Sequence, residues 1–131
     1  MTFKFELVSP ERVLVSEDVE QVVLRGAEGD FAVLEGHAPF VSTLRPGVLD
    51  VTGPGGRKQF LVKSGFAEVE PSRLTVLAER AYNVADLAAS DIGNQLEAAE
   101  AELAGARSDG ARLTAYTLVE QLKALQSGAR H

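Results

Sequence analysis

The sequence predicts an α+β chain: an N-terminal all-β sandwich or flattened barrel over residues 1–85, then an antiparallel two-helix hairpin over residues 86–131. Three observations predict it. Short apolar runs, each bounded by Gly, Pro, Ser or Asp, recur up to about residue 85, which is the spacing of an all-β sandwich or barrel. No long helix-period segment interrupts them, which argues against a parallel α/β arrangement. Beyond Ala85 the composition turns to Ala, Leu, Glu and Gln, all good helix formers.

Phe3, Phe5 and Leu7 alternate with Lys4 and Glu6, which makes a strand with one wet face. Ser9-Pro10-Glu11 turns the chain, residues 13–15 form a second strand and residues 20–25 a third. The stretch that follows organises the rest: Gly26-Ala27-Glu28-Gly29-Asp30-Phe31-Ala32-Val33-Leu34-Glu35-Gly36-His37-Ala38-Pro39-Phe40. Within it residues 31–34 read as a buried strand between two turns, and Pro39 pushes Ala38 to an extended conformation. Residues 40–44 are a further strand, and Arg45-Pro46-Gly47 places Pro and Gly where a turn favours them. Residues 48–51 and 59–62 are hairpin partners around a glycine-rich tip at residues 52–58. That tip lacks the spacing of a phosphate loop, and no Ser or Thr follows Lys58. Ser64-Gly65 breaks the run, and residues 66–70 and 74–77 are two more strands around Pro71-Ser72. The total is about eight or nine strands.

In the second part Asp86 is the expected N-cap. Ile92, Leu96, Ala99 and Leu103 share one face of a first helix. Residues 105–110 break it, with Ser108 or Asp109 available to cap the next. Leu118, Leu122 and Leu125 make the second stripe, with Leu113 and Val119 at its border. Two helices joined by a short loop form an antiparallel pair with little core of its own.

The chain has 131 residues, no cysteine and a formal net charge of -6. Disulfides and thiolate metal sites are excluded. The charge divides evenly: residues 1–85 hold 9 Lys and Arg against 12 Asp and Glu, and residues 86–131 hold 4 against 7. Neither half is a basic patch, which argues against nucleic acid as a partner. No apolar run approaches the roughly 18 residues of a membrane span, so direct membrane insertion is not expected. The N-terminus is already patterned as a strand and carries neither a signal-peptide core nor an Arg-rich transit segment, so the chain is expected to stay where it is made.

Little in the sequence carries chemistry. His37 and His131 are the only imidazoles. No HExxH, GxSxG or metal-ligand spacing appears. A metal site would have to combine His37 with Asp30 and Glu35, three polar residues of one loop. Asp30 reads first as a turn residue with a solvated carboxylate. Phe31, Phe40, Phe60 and Phe66 each read first as core. No cofactor is expected, and the chain looks like a binding or mechanical part. An apolar patch beside polar loops is what a partner surface requires, and residues 26–40 have that composition.

The run from Gly26 through Gly29-Asp30-Phe31, Val33-Leu34 and Gly36-His37-Ala38-Pro39, followed by Leu44-Arg45-Pro46-Gly47, resembles the signature of the epsilon subunit of the bacterial F-type ATP synthase. Ser64-Gly65-Phe66, Glu68-Val69 and Leu74-Thr75-Val76-Leu77-Ala78-Glu79 match later segments in the same order. The resemblance covers residues 3–85 in sequence and the remainder in architecture. It implies a central-stalk part whose sandwich joins the foot of the gamma subunit to the polar loops of the c-ring, with a helical hairpin able to reach the catalytic alpha and beta subunits. It implies a non-catalytic role in coupling proton flow to ATP synthesis, at the cytoplasmic face of a bacterial inner membrane.

By residue match, Gly29, Asp30 and Phe31, with the turn Gly36, His37, Ala38 and Pro39, are expected to face the c-ring. Val41, Ser42 and Leu44, with Ser64, Gly65 and Phe66, are expected to face gamma. Glu35 stands where Pro commonly precedes this Gly-His. Nucleotide-binding members carry Ile or Leu, then Asp, two variable residues, Arg and Ala at the first helix. Here the run is Leu87-Ala88-Ala89-Ser90-Asp91-Ile92, with Ala88 for the Asp and Asp91 for the Arg. The hairpin is therefore expected to bind ATP poorly and to be a weak regulator. The rival readings are a free-standing sandwich binding a small ligand or carbohydrate, with the helices as a dimerisation arm, and a small metal hydrolase using His37.

Overall fold

The computed structural model describes residues 1–128; His131 lies outside them. The chain divides into two compact units, Met1–Ala85 and Asp86–His131.

The first unit holds eight strands: β1 (Phe3–Val8), β2 (Val13–Val19), β3 (Gln21–Gly26), β4 (Gly29–Leu34), β5 (Phe40–Leu44), β6 (Gly47–Gly53), β7 (Gly56–Glu70) and β8 (Arg73–Asn83). They hydrogen-bond in the order β2-β1-β8-β7-β5-β3-β4, and β6 bridges β7 and β3. Only β1 and β8 run parallel; the other pairs are antiparallel. The sheet folds over and encloses its apolar face. Alternation decides which face that is: Phe3, Phe5 and Leu7 of β1, Val22 and Leu24 of β3, and Leu74, Val76 and Ala78 of β8 all point in. Phe5 and Phe60 meet at the centre with ring centroids 6.3 Å apart. Each such side chain contributes about 1.5–3 kcal/mol by leaving water.

The fold-over has a local cause. β5 pairs with β7 up to Leu44↔Gly65, and β6 resumes the same register at Gly47↔Val62. Arg45 and Pro46 lie between, opposite Lys63 and Ser64. Pro46 has no N–H to give the ladder. Ser64 takes φ 56°, in the left-handed region rarely used by residues other than Gly. On the other side β7 and β8 keep one register across the bend, from Lys63↔Arg80 to Gly65↔Ala78. The strands thus bend together along one line, as strands do where they pass from one layer of a sandwich to the other.

This corrects one expectation. Ser64-Gly65 does not end a strand: residues 59–62 and 66–70 belong to one 15-residue strand. The paired strands on either side supply hydrogen bonds across the break, so the local signal loses to the ladder. β8 likewise runs on to Asn83, past Leu77, because β7 pairs with it there even though Glu79 and Arg80 are exposed.

A 3₁₀ turn (Val84–Asp86) spans the boundary, and the second unit holds α1 (Ala89–Gly105) and α2 (Asp109–Gly128). Asp86 lies in that turn and does not cap α1. Ala88 occupies the N-cap, and Asp91 reaches back to accept its N–H at 3.0 Å. Ser108 caps α2, its Oγ accepting from the Ala111 N–H at 3.1 Å. α1 buries Ile92, Leu96 and Ala99, and α2 buries Ala115, Leu118, Val119, Leu122 and Leu125. Val119 is therefore core, Leu103 is half-buried, and Leu113 is exposed.

A Cβ built at residue 65 would collide with the Leu77 carbonyl oxygen, a backbone atom that cannot swing away. Gly65→Ala should therefore destabilise the protein by about 3 kcal/mol, the upper range for forcing extra volume into a packed site. Urea denaturation measures it; a loss within error of zero would mean that the bend does not depend on this close approach.

Candidate functional site

One end of the sandwich gathers most of the residues singled out in the sequence. The β3–β4 hairpin ends in the turn Gly26-Ala27-Glu28-Gly29, whose Ala27 N–H donates to Thr43 O of β5 at 2.9 Å. Beyond β4 a β-turn spans residues 34–37, closed by the His37 N–H donating to Leu34 O at 3.2 Å. Gly36 has φ 81° and Glu35 has no positive φ, the pattern of a type II turn. Pro is favoured at the position that Glu35 fills, and a type II turn accepts Glu there as well. The Gly36 N–H donates to Pro71 O at 2.7 Å and ties this turn to the β7–β8 connection.

Between the two turns lies an open depression of about 720 Å³. Gly29, Asp30, Phe31, His37, Ala38 and Pro39 line it, and so do Val41 and Ser42. Gly36 stands outside the lining. Phe31 packs edge-on against Phe40, with centroids 5.4 Å apart at 90°, and the His37 ring lies 6.5 Å from Phe40. His37 Nδ1 donates to the Ala38 carbonyl at 2.7 Å, which leaves Nε2 as the ring's free atom. Of the four phenylalanines read first as core, Phe60 is buried, Phe31 is half-buried, and Phe40 and Phe66 are 46% and 43% exposed.

Asp30 is half exposed, but both of its oxygens are paired. Arg25 Nη1 donates to its Oδ2 and Arg45 Nη2 to its Oδ1, both at 2.8 Å. Arg25 also donates from Nη2 to Asp50 at 3.0 Å and from Nε to Val48 O at 3.0 Å. Gln59 Nε2 donates to the other Asp50 oxygen at 2.9 Å. Arg45 Nε donates to Gly26 O at 2.7 Å. The result is a chain, Arg45–Asp30–Arg25–Asp50–Gln59, laced across β3, β4, β6, β7 and the β5–β6 turn. Its members were missed because each is a single charge in a separate apolar run; only the cation inside the strand sequence Val23-Leu24-Arg25 hinted at a buried partner.

The second group lies on the outer face of the sheet. Cross-strand pairing aligns Thr43, Phe66, Leu77, Val8 and Val13 in one row over β5, β7, β8, β1 and β2. Phe66, Leu77 and Val13 are exposed. A depression of about 600 Å³ beside the row includes Ser64, Gly65 and Phe66. Leu44, by contrast, is buried in the core. The two surfaces meet along β5, where Thr43 lines the first and belongs to the second. Among the described residues no group of three or more His, Asp or Glu side chains could hold a metal ion, and no helix is long and apolar enough to cross a membrane.

Arg25 is 18% exposed at its side chain and touches three acceptors. Its removal takes one donor from each of two carboxylates and from the Val48 carbonyl. Exposed ion pairs are worth about 1 kcal/mol or less and breaking buried ones costs about 3–5, so Arg25→Ala should cost roughly 2–3 kcal/mol. The shift of the urea midpoint of the purified protein measures it, and a cost under about 0.5 kcal/mol, the scale of an ordinary surface substitution, would contradict the network.

Comparison with known proteins agrees with this architecture. The sequence model of the ATP synthase Delta/Epsilon chain β-sandwich domain matches residues 2–84. The ATP synthase epsilon chain of Mesorhizobium japonicum is 46% identical over 125 residues, 95% of this chain and 93% of the relative. That of Parvibaculum lavamentivorans is 45% identical over 123 residues, 93% of each. A chain in the cryo-EM structure of the Euglena gracilis mitochondrial ATP synthase, OSCP/F1/c-ring, superposes with a TM-score of 0.71 at 25% identity, covering 99% of this chain and 82% of that one. A chain of the Tetrahymena thermophila mitochondrial ATP synthase central stalk and c-ring shares the fold, with a TM-score of 0.61 at 11% identity. With its sandwich matched by the family model and almost its whole length aligned to epsilon chains, this chain belongs to the ATP synthase epsilon chain family.

Proposed function

We propose that the chain works as the epsilon subunit of a bacterial F-type ATP synthase, joining gamma to the c-ring in the central stalk and turning with them. Its part is mechanical and non-catalytic: it helps couple proton flow to ATP synthesis at the cytoplasmic side of the inner membrane, held there by its partners and not by lipid. The observation that carries this reading is the pairing of two surfaces on one rigid sandwich. A coupling piece needs one face for each partner and a stiff body between them. The end depression, with Phe31, His37, Pro39 and Phe40, offers ring faces and turn backbone to the polar c-ring loops. The row of Phe66, Leu77, Val8 and Val13 offers gamma an apolar strip, and apolar area desolvated by a partner is the main source of such affinity.

Phe66 is exposed and lies outside the core cluster, so Phe66→Asp should leave the isolated protein folded. In the detergent-solubilised enzyme it should lower retention of the subunit at least about tenfold, or roughly 1.4 kcal/mol, because a buried charge would replace an apolar contact. A tagged wild-type chain should bring gamma and the c-ring down with it. A wild-type chain that emerges alone would favour the ligand-module reading.

The hairpin is proposed as a weak regulator and residues 1–85 as a domain that folds by itself. Asp91, where a phosphate-binding Arg would stand, is engaged at the helix start by the Ala88 N–H, and a carboxylate there repels phosphate. Residues 111–126 carry only Arg112 and Lys123 as cations, so attraction to acidic catalytic segments is weak. Deletion of residues 86–131 should leave a cooperatively melting chain and raise ATP hydrolysis by the reconstituted enzyme about twofold or less, about 0.4 kcal/mol in barrier terms. A tenfold rise, or saturable submillimolar ATP binding by the full chain in calorimetry, would refute the weak-regulator assignment.

A further inference from the structure

Asp30 is half exposed, and its place on the tip makes it the obvious anion to offer a partner. Its surroundings argue otherwise. Both oxygens are already taken by guanidinium groups at 2.8 Å. Arg25 and Arg45 face Asp30 and Asp50, and Arg57 stands 4.0 Å from Asp50, so the negative charge of Asp30 is fully offset within the network.

Each arginine also grips the backbone. Arg45 bonds Gly26 O, the residue that opens the tip turn, and Arg25 bonds Val48 O. One planar guanidinium can hold a carbonyl and a carboxylate at once; a lysine ammonium cannot reproduce that fork. The grip is passed on to the rings. The Phe31 ring lies over Gly26 so closely that a Cβ there would come within 2.9 Å of it. Phe31 follows Asp30 in β4 and packs on Phe40, which neighbours His37. To move Asp30 is therefore to move the ring cluster. Among the residues lining the depression, one other carries a formal charge: Glu28, exposed and in no ion pair with any of the described residues.

We propose that Arg25 and Arg45 are positioning residues that hold Asp30 and cancel its charge, so that Asp30 shapes the tip while Glu28 is the carboxylate left to meet a cationic group of the partner. This rests on the reading that the tip faces the c-ring loops.

The test compares Asp30→Asn, Arg45→Lys and Glu28→Gln in the full chain. Melting is read on the isolated protein, and rebinding is read on membranes stripped of the subunit, at about 50 mM and about 300 mM salt, which brackets the screening of an exposed ion pair. Asp30→Asn and Arg45→Lys should each lower the melting temperature by about 5 °C, as a broken network does in a chain this small. Each should weaken rebinding by a similar factor at both salt concentrations. Glu28→Gln should leave the melt unchanged, weaken rebinding at low salt and flatten its salt dependence.

The proposal is overturned if Asp30→Asn flattens the salt dependence without lowering the melting temperature. It is also overturned if Arg45→Lys strengthens rebinding by releasing the Asp30 charge. If no variant alters rebinding although Asp30→Asn and Arg45→Lys melt early, the clamp stands as a positioning device, while the assignment of the tip to the partner, and with it the role of Glu28, falls. Asn and Lys are conservative replacements, so a chain that folds at reduced stability remains available for every arm.

Discussion

The close approach of Gly65 to the Leu77 carbonyl is the constraint on which the sandwich depends. A sheet this short cannot enclose a core unless its long strands turn the corner together. β7 does so at Ser64, its neighbours at Arg45-Pro46 and near Glu79, and all three keep their pairing. Only a residue without a side chain lets β7 and β8 approach so closely at that line. Once the corner is made, the inward residues of β1, β3, β7 and β8 face one another, and their burial holds the unit together. The same corner displays Phe66 and Leu77 on the outer face, one step from the bend. Fold and candidate partner surface thus share one cause.

The charged network answers a different need. Turns carry few apolar contacts, and a loop that must keep a fixed shape under load needs another tether. Arg25 and Arg45 supply it by spanning strands remote in sequence, with partners up to 25 residues away. Because these groups are only partly exposed, water screens them less than a surface pair. Asp30 illustrates how an acidic residue at the start of a strand can be structural and still stand at a surface.

The fold was largely legible in the residues. Period-2 alternation placed β1, and the shift in composition placed the two helices. The strand failures share one physical reason. Ser64-Gly65 signals a strand end, Leu77 a close to β8, and Asp86 a cap; in the two strands the local preference is outweighed by a partner that the local sequence does not name. The ladder carried β7 and β8 onward, and the chain spent Asp86 in a 3₁₀ turn before α1 began at Ala89. At the tip, the sequence identified the turn residues and His37, and the order of motifs identified the family. It could not identify Arg25 and Arg45, since a salt network is a property of tertiary proximity. Nor could it tell exposed Phe40 and Phe66 from buried Phe60, because all three sit in similar apolar runs.

The central claim is that the two surfaces serve two different partners at once. A pair of single-cysteine variants tests it most directly: Ala38→Cys at the rim of the end depression and Phe66→Cys on the outer row, each oxidised in the assembled enzyme against cysteines placed in the c-ring loop and in the foot of gamma. The account predicts that Ala38→Cys cross-links to the c-ring, that Phe66→Cys cross-links to gamma, and that either bond leaves rotation of the joined subunits possible. Cross-links in the opposite pattern, or from both positions to a single partner, would contradict it.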